Sequence, residues 1–214
     1  MRIAFLFAVA LGMSGCASVK PVNLDLSDLT ESGARVVATT ERPMPALSAI
    51  TPTKAQFGFL GGMAMTMAGK QIVEKNGVDD PAVHVSSELA DQLAKALGAE
   101  VMSEGPGTVE PGEQPDVLVD VQTRVWQLIY YKSAWGTYSI TYRAKAQFID
   151  AETETVLGTG SCSVRPEKDS EWTAGYEDFA ENRDAILTRT LAFVARQCAE
   201  QIGGQLAAVA ATDG

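Results

Sequence analysis

At 214 residues, with 46% apolar and 21% charged side chains, the chain has the composition of one ordinary globular domain, which excludes an intrinsically disordered protein and a second full domain. Its net charge of −10, from 27 acidic against 17 basic residues, excludes a nucleic-acid binder with a basic stripe. The same charge predicts repulsion from anionic lipid headgroups, leaving membrane contact to acyl chains.

The first segment joins a basic Arg2 to a short apolar run over residues 3–11, followed by small residues before a cysteine, the layout of a secretory signal. The run is too short to cross a hydrocarbon core, which takes about 20 residues. The tetrapeptide Met13-Ser14-Gly15-Cys16 resembles the lipobox of bacterial lipoproteins, with Met in place of the usual Leu. That resemblance implies cleavage before Cys16, lipidation of its sulfur and acylation of the new amino terminus. Two or more chains anchor stably where one does not. Ala17, where inner-membrane lipoproteins carry Asp, implies the outer membrane. The expected organisation is a signal peptide over 1–15, a lipidated Cys16 with a flexible tether to 33, a single periplasmic domain over 34–205 and a tail over 206–214.

Along the mature chain, residues 35–40 are β-branched and predict a first strand, while Pro43, Pro45 and Pro52 interrupt regular structure. Residues 55–69 are uncharged, Met-rich and carry Gly58 and Gly62 in a GxxxG spacing. They predict a helix packed closely on a sheet, with bilayer or partner insertion as the alternative. Leu89, Leu93 and Leu97 predict a helix over 85–97, capped by Ser86 and ended by Gly98. A short strand over 99–102 and a Gly/Pro-rich loop over 104–115 follow.

Strict alternation then predicts strands over 116–131, 137–149 and 155–164, joined by tight turns into an antiparallel meander. In the first, Val117, Val119, Val121, Thr123, Val125 and Ile129 share one face, expected to be the core face. Asp120, Gln122, Arg124, Trp126 and Tyr130 share the other. Residues 181–201 predict an amphipathic helix with Glu181 and Asp184 in its first turn and Gly203-Gly204 as its end or kink.

With Cys16 lipidated, Cys162 and Cys198 remain as a pair in an oxidising compartment. Cys162 shares parity with Val156 and Val164, and Cys198 lies in the stripe Leu187, Leu191, Val194, Cys198, Ile202, so both thiols face one core and a disulfide is expected. The single histidine, His84, reads as a loop residue, and one histidine supplies no zinc set. No catalytic residue, metal or cofactor is expected. The carboxylates Glu171, Glu177, Asp178, Glu181 and Asp184 read as a solvated helix start, with a cell-wall hydrolase as a remote alternative. Trp126, Tyr130 and Trp135 beside the hairpin turn are candidate partner contacts.

The element order from residue 83 to 205 resembles small periplasmic lipoproteins such as the TolB amino-terminal domain and transport-auxiliary lipoproteins. The resemblance implies an α/β two-layer sandwich with a mainly antiparallel sheet and helices on one face. It also implies a non-enzymatic role, binding or assembling a cell-envelope complex through an envelope protein partner. A transport auxiliary contacting lipid or a hydrophobic ligand through residues 57–67 is the alternative.

Overall fold

The computed structural model describes residues 29, 33, 36–49, 58–102, 114–131 and 134–210, with the side chains at 58–65, 76, 134–135, 176, 180 and 206–210 outside that description. Seven strands and four helices follow in chain order among the described residues: β1 (Val36–Thr39), β2 (Ser48–Ala49), α1 (Gly58–Asn76), α2 (Pro81–Leu97), β3 (Glu100–Val101), β4 (Val117–Tyr131), β5 (Ala134–Asp150), β6 (Val156–Val164), β7 (Ala174–Gly175), α3 (Tyr176–Glu181) and α4 (Arg183–Ala210). The fold is mixed α/β. Its sheet runs β3-β1-β4-β5-β6, with β2 beside β4 and β7 beside β5.

The expected meander is present as β4, β5 and β6, but the sheet is mixed rather than mainly antiparallel, because β1 lies parallel to both β3 and β4 and β2 lies parallel to β4. The cause is the connection from β1 to β3, which carries two helices; such a crossover takes the chain from the carboxyl end of β1 back to the end where β1 began, and the strands then run parallel. Helices α2 and α4 pack on each other and on one face of the sheet, whereas α1 packs on β2. The helices therefore do not form the single layer of a simple sandwich.

Leu89 and Leu93 of α2, Leu187, Leu191, Val194 and Ile202 of α4, and Val117, Val119, Tyr142 and Phe148 of the strands form one core. Each such side chain contributes about 1.5–3 kcal/mol by leaving water. Cys162 on β6 and Cys198 on α4 are joined by a disulfide with Cα atoms 5.1 Å apart, tying the helix to its own strand.

One irregularity changes which residues reach that core. Thr123 pairs with Ala144 but Val125 pairs with Arg143, so Arg124 is an extra residue in β4, and a β-bulge inverts the side chains beyond it. Trp126 and Leu128 consequently turn inward, and Val125 and Ile129, expected on the core face, turn out. A second shift between Phe148 and Ile149 leaves Val156 exposed at the start of β6, away from the face it was expected to share with Cys162.

Helix α2 starts earlier than its leucine spacing predicts. Asp80 caps it, accepting the Ala82 N–H at 3.0 Å, and Pro81 opens the first turn, where its missing N–H costs nothing. Ser86 lies inside the helix, its hydroxyl donating to the Val83 carbonyl. Gly98 ends the helix in a left-handed conformation, φ 66°, as expected.

The predicted 181–201 helix is divided into α3 and α4, and α4 runs through Gly203 and Gly204 to Ala210. Gly203 marks the crossing of α4 with α2, where an added Cβ would collide with Gln92 Oε1.

Edge strand β6 is shielded by the same helix. Gln201 accepts the Ser163 N–H at 3.0 Å, while Gln205 accepts the Ser161 N–H at 3.2 Å and donates to the Ser161 carbonyl at 2.8 Å. Two glutamines one helical turn apart thus occupy backbone groups that another chain would otherwise pair with.

Candidate functional site

The strands β1 and β3 end beside the amino terminus of α2, and a cleft of about 620 Å³ opens there, lined by residues that include Thr40, Arg42, Asp80, Ser87, Asp91 and Met102. A smaller neighbouring cavity of about 250 Å³ shares Arg42 and Asp80 with it. The crevice outside the carboxyl ends of parallel strands is where open α/β sheets most often place ligands, because side chains from loops and helix starts converge there.

Two polar systems fix its walls. Asp120 of β4 is 2% exposed, and both its oxygens are held by Arg42, through Nε at 2.5 Å and Nη2 at 2.6 Å, with the Thr40 hydroxyl donating at 2.7 Å. Burial by itself would raise the carboxyl, but the hydrogen bonds from Arg42 and Thr40 and the charges of Arg42 and Arg124 outweigh it and hold Asp120 below the usual carboxylate range. The β1–β4 register explains the meeting. Thr39 pairs with Val119, so Thr40 falls opposite Asp120 just past the strand end.

On the helix side, Asp80 Oδ1 accepts both the Ala82 N–H and the Thr123 hydroxyl, the latter at 2.7 Å, and Thr123 shares a 2.9 Å hydrogen bond with the Tyr142 hydroxyl. Burial raises Asp80 above the usual range, partly offset by those two donors, and burial likewise pushes the Tyr142 phenol well up. The Arg42 charge is committed to Asp120, so Glu41, Asp80 and Asp91 leave the cleft a lining of carboxylates and hydroxyls over an apolar floor of Val101, Met102 and Val121. Such a lining can accept hydrogen bonds from, and orient, a hydroxylated or cationic group. The sequence reading missed this cleft, since Arg42 and Asp120 lie far apart in sequence; the Asp80-Pro81 dipeptide was its one local signal.

The residues singled out from sequence fall elsewhere. Cys16 and its lipobox lie outside the described residues, as do the tether and most of the loop over 104–115. Trp126 is 3% exposed in the core, with no hydrogen-bond partner for its Nε1–H among the described residues, and is not on the surface where a partner contact was expected. The bulge at Arg124 is the reason. Tyr130 is half-buried and packs against the core, and Trp135 lies in β5 with its side chain outside the description.

His84 is exposed in the first turn of α2, within the helix rather than before it. Glu171, Glu177, Asp178, Glu181 and Asp184 are all exposed around α3 and the start of α4. Of the apolar 57–67 segment, the Met67 side chain is described and is 66% exposed. No helix among the described residues is long and apolar enough to cross a membrane.

No protein-family model matches the chain and neither does any curated protein, so the family expected from the element order is not shown. Among solved structures, the chain is similar to a PelC dodecamer subunit from Paraburkholderia phytofirmans, at 10% identity and a TM-score of 0.38 over 81% of this chain and 88% of that one. It is also similar to the DUF330 protein of Xanthomonas campestris, at 13% identity and a TM-score of 0.37 over 84% and 87%. Lipoprotein GNA1162 from Neisseria meningitidis shares 15% identity at a TM-score of 0.25 over 76% and 96%. At such scores and identities the likeness specifies neither ligand nor partner.

Proposed function

We propose that this chain is a lipoprotein of the bacterial cell envelope, anchored through Cys16 to the periplasmic face of the outer membrane. Its α/β domain serves there as a non-enzymatic binding or assembly component of an envelope complex. The observation that carries the reading is Met13-Ser14-Gly15-Cys16 after a basic residue and a short apolar run. The Cys162–Cys198 bridge supports it, because such bonds persist in oxidising compartments. Within the domain, the strand-end cleft with its hydrogen-bonded Asp120–Arg42 and Asp80–Thr123–Tyr142 walls is the place where a bound group would be held.

The anchoring is tested by expressing the wild type and Cys16→Ser, fractionating cells and labelling with radioactive palmitate. The wild type should be labelled and sediment with outer membranes, and the variant should be unlabelled and lost from them. Unlabelled wild-type protein in the soluble periplasm would overturn the proposal.

A further inference from the structure

The outward side chains of β4 and β5, where the sheet runs out to the β6 edge beside α4, carry a cluster of cations on an otherwise acidic molecule. The bulge that turns Trp126 inward places Arg124 beside the Val125–Arg143 pair, and Arg143 and Lys145 follow each other on the outward face of β5. Across the next ladder, Arg143 pairs with Ser163 and Lys145 with Ser161. Together with Thr159 and Gln201 of α4 these residues line a groove of about 540 Å³, and no acidic side chain among the described residues lines it. Arg124 and Arg143 are exposed, and none of the three cations forms an ion pair among the described residues.

Like charges on adjacent sheet positions repel. In a chain with 27 acidic and 17 basic residues, three cations gathered over a row of hydroxyls form a local exception to the overall field. Guanidinium and ammonium donors with neighbouring hydroxyls suit a phosphate group, which offers several acceptor oxygens and a negative charge.

We propose that this groove binds the phosphates of anionic lipid headgroups and so sets which face of the domain lies against the bilayer. The proposal rests on the lipid-anchored reading for its biological setting: a chain tethered to a membrane meets headgroups at high effective concentration, so weak local contacts suffice to orient it. The net charge of −10 repels the same surface elsewhere, and screening over about 8–10 Å lets the groove act independently of that repulsion. The expectation that the acidic surface keeps lipid headgroups away everywhere is thereby revised for this one face.

The test uses the mature chain from residue 16 carrying Cys16→Ser, so that neither an acyl chain nor the apolar run over residues 3–11 contributes and the result does not depend on whether the wild type is lipidated. Flotation is compared on vesicles of phosphatidylcholine alone and of equal parts phosphatidylcholine and phosphatidylglycerol. Binding to the anionic vesicles should be about tenfold tighter at about 0.1 M salt, where the rest of the acidic surface is screened, weaken as salt rises further, and vanish with Arg124→Gln, Arg143→Gln and Lys145→Gln combined. Replacing both arginines by lysine should retain the preference and serve as the folding control.

Equal binding to both vesicle types, or an unchanged preference in the triple variant, overturns the proposal. Amide shifts with inorganic phosphate at these residues but no vesicle preference would assign the groove to a free phosphate, and would also overturn it. Palmitate labelling of the wild type reports separately on the anchor.

Discussion

Truncating Arg42 to alanine removes both guanidinium contacts from Asp120 and leaves the carboxylate, among the described residues, with the Thr40 hydroxyl as its donor. The expected loss is about 1–3 kcal/mol, at the lower end of what a buried charge pair would give because the Arg42 side chain is 44% exposed and its field is screened. The pH dependence is the sharper measurement. In the wild type Asp120 titrates below the usual value of about 3.9, so its contribution is full above that pH and is lost as pH falls through the folded value. In Arg42→Ala the burial cost dominates and the carboxyl rises, so protonation stabilises the variant. Urea unfolding between about pH 5 and pH 3 should show the gap between the two proteins narrowing as acid is added. A gap constant across that range would mean the pair does not behave as drawn. Alternation alone marks Val117, Val119 and Val121 as core but puts Trp126 on the opposite face, because nothing in a one-dimensional pattern marks Arg124 as an extra residue.

Close approaches between elements separate three glycines that look alike in the sequence. A Cβ on Gly69 of α1 would run into the backbone carbonyl of Leu47 beside β2, which cannot move without displacing the strand. A Cβ on Gly160 would meet Ile202 Cγ2 at 2.6 Å, and Ile202 is fully buried. A Cβ on Gly203 meets only the amide end of a half-buried Gln92, which can swing away. Gly69→Ala and Gly160→Ala should therefore each destabilise by about 1–3 kcal/mol. Gly203→Ala should be neutral or gain up to about 1 kcal/mol from helix propensity. Chemical denaturation of the three variants checks the ranking, and a loss at Gly203 equal to that at Gly160 would contradict it. The α2 helix and the meander were readable because each carries its own period. The short strands β2 and β7, at two residues apiece, carry none and form only because β4 and β5 offer them unpaired backbone.

At the scale of the whole molecule, the Cys162–Cys198 bridge closes a chain separation of 36 residues and joins β6 to α4 across the core. The chain-entropy account of a loop this size gives about 4 kcal/mol, and the combined Cys162→Ala and Cys198→Ala variant should lose about 2–4 kcal/mol. The wild-type denaturation midpoint should fall toward that of the variant when a reductant is added. Coincident midpoints without reductant would show that the two cysteines are not linked.

The lipobox-like start, the pairing of the two core cysteines, the three long strands and the helices that cover them can all be read along the chain. These follow from local chemistry and short periods, which survive without knowledge of contacts. The parallel placement of β1 and β3, the inversion of β4 at Arg124, the Arg42–Asp120 clamp and the cationic groove beside the β6 edge emerge once the chain is folded. Each depends on which residues distant in the chain are brought side by side, and that is set by crossover and register, quantities that no stretch of sequence contains on its own.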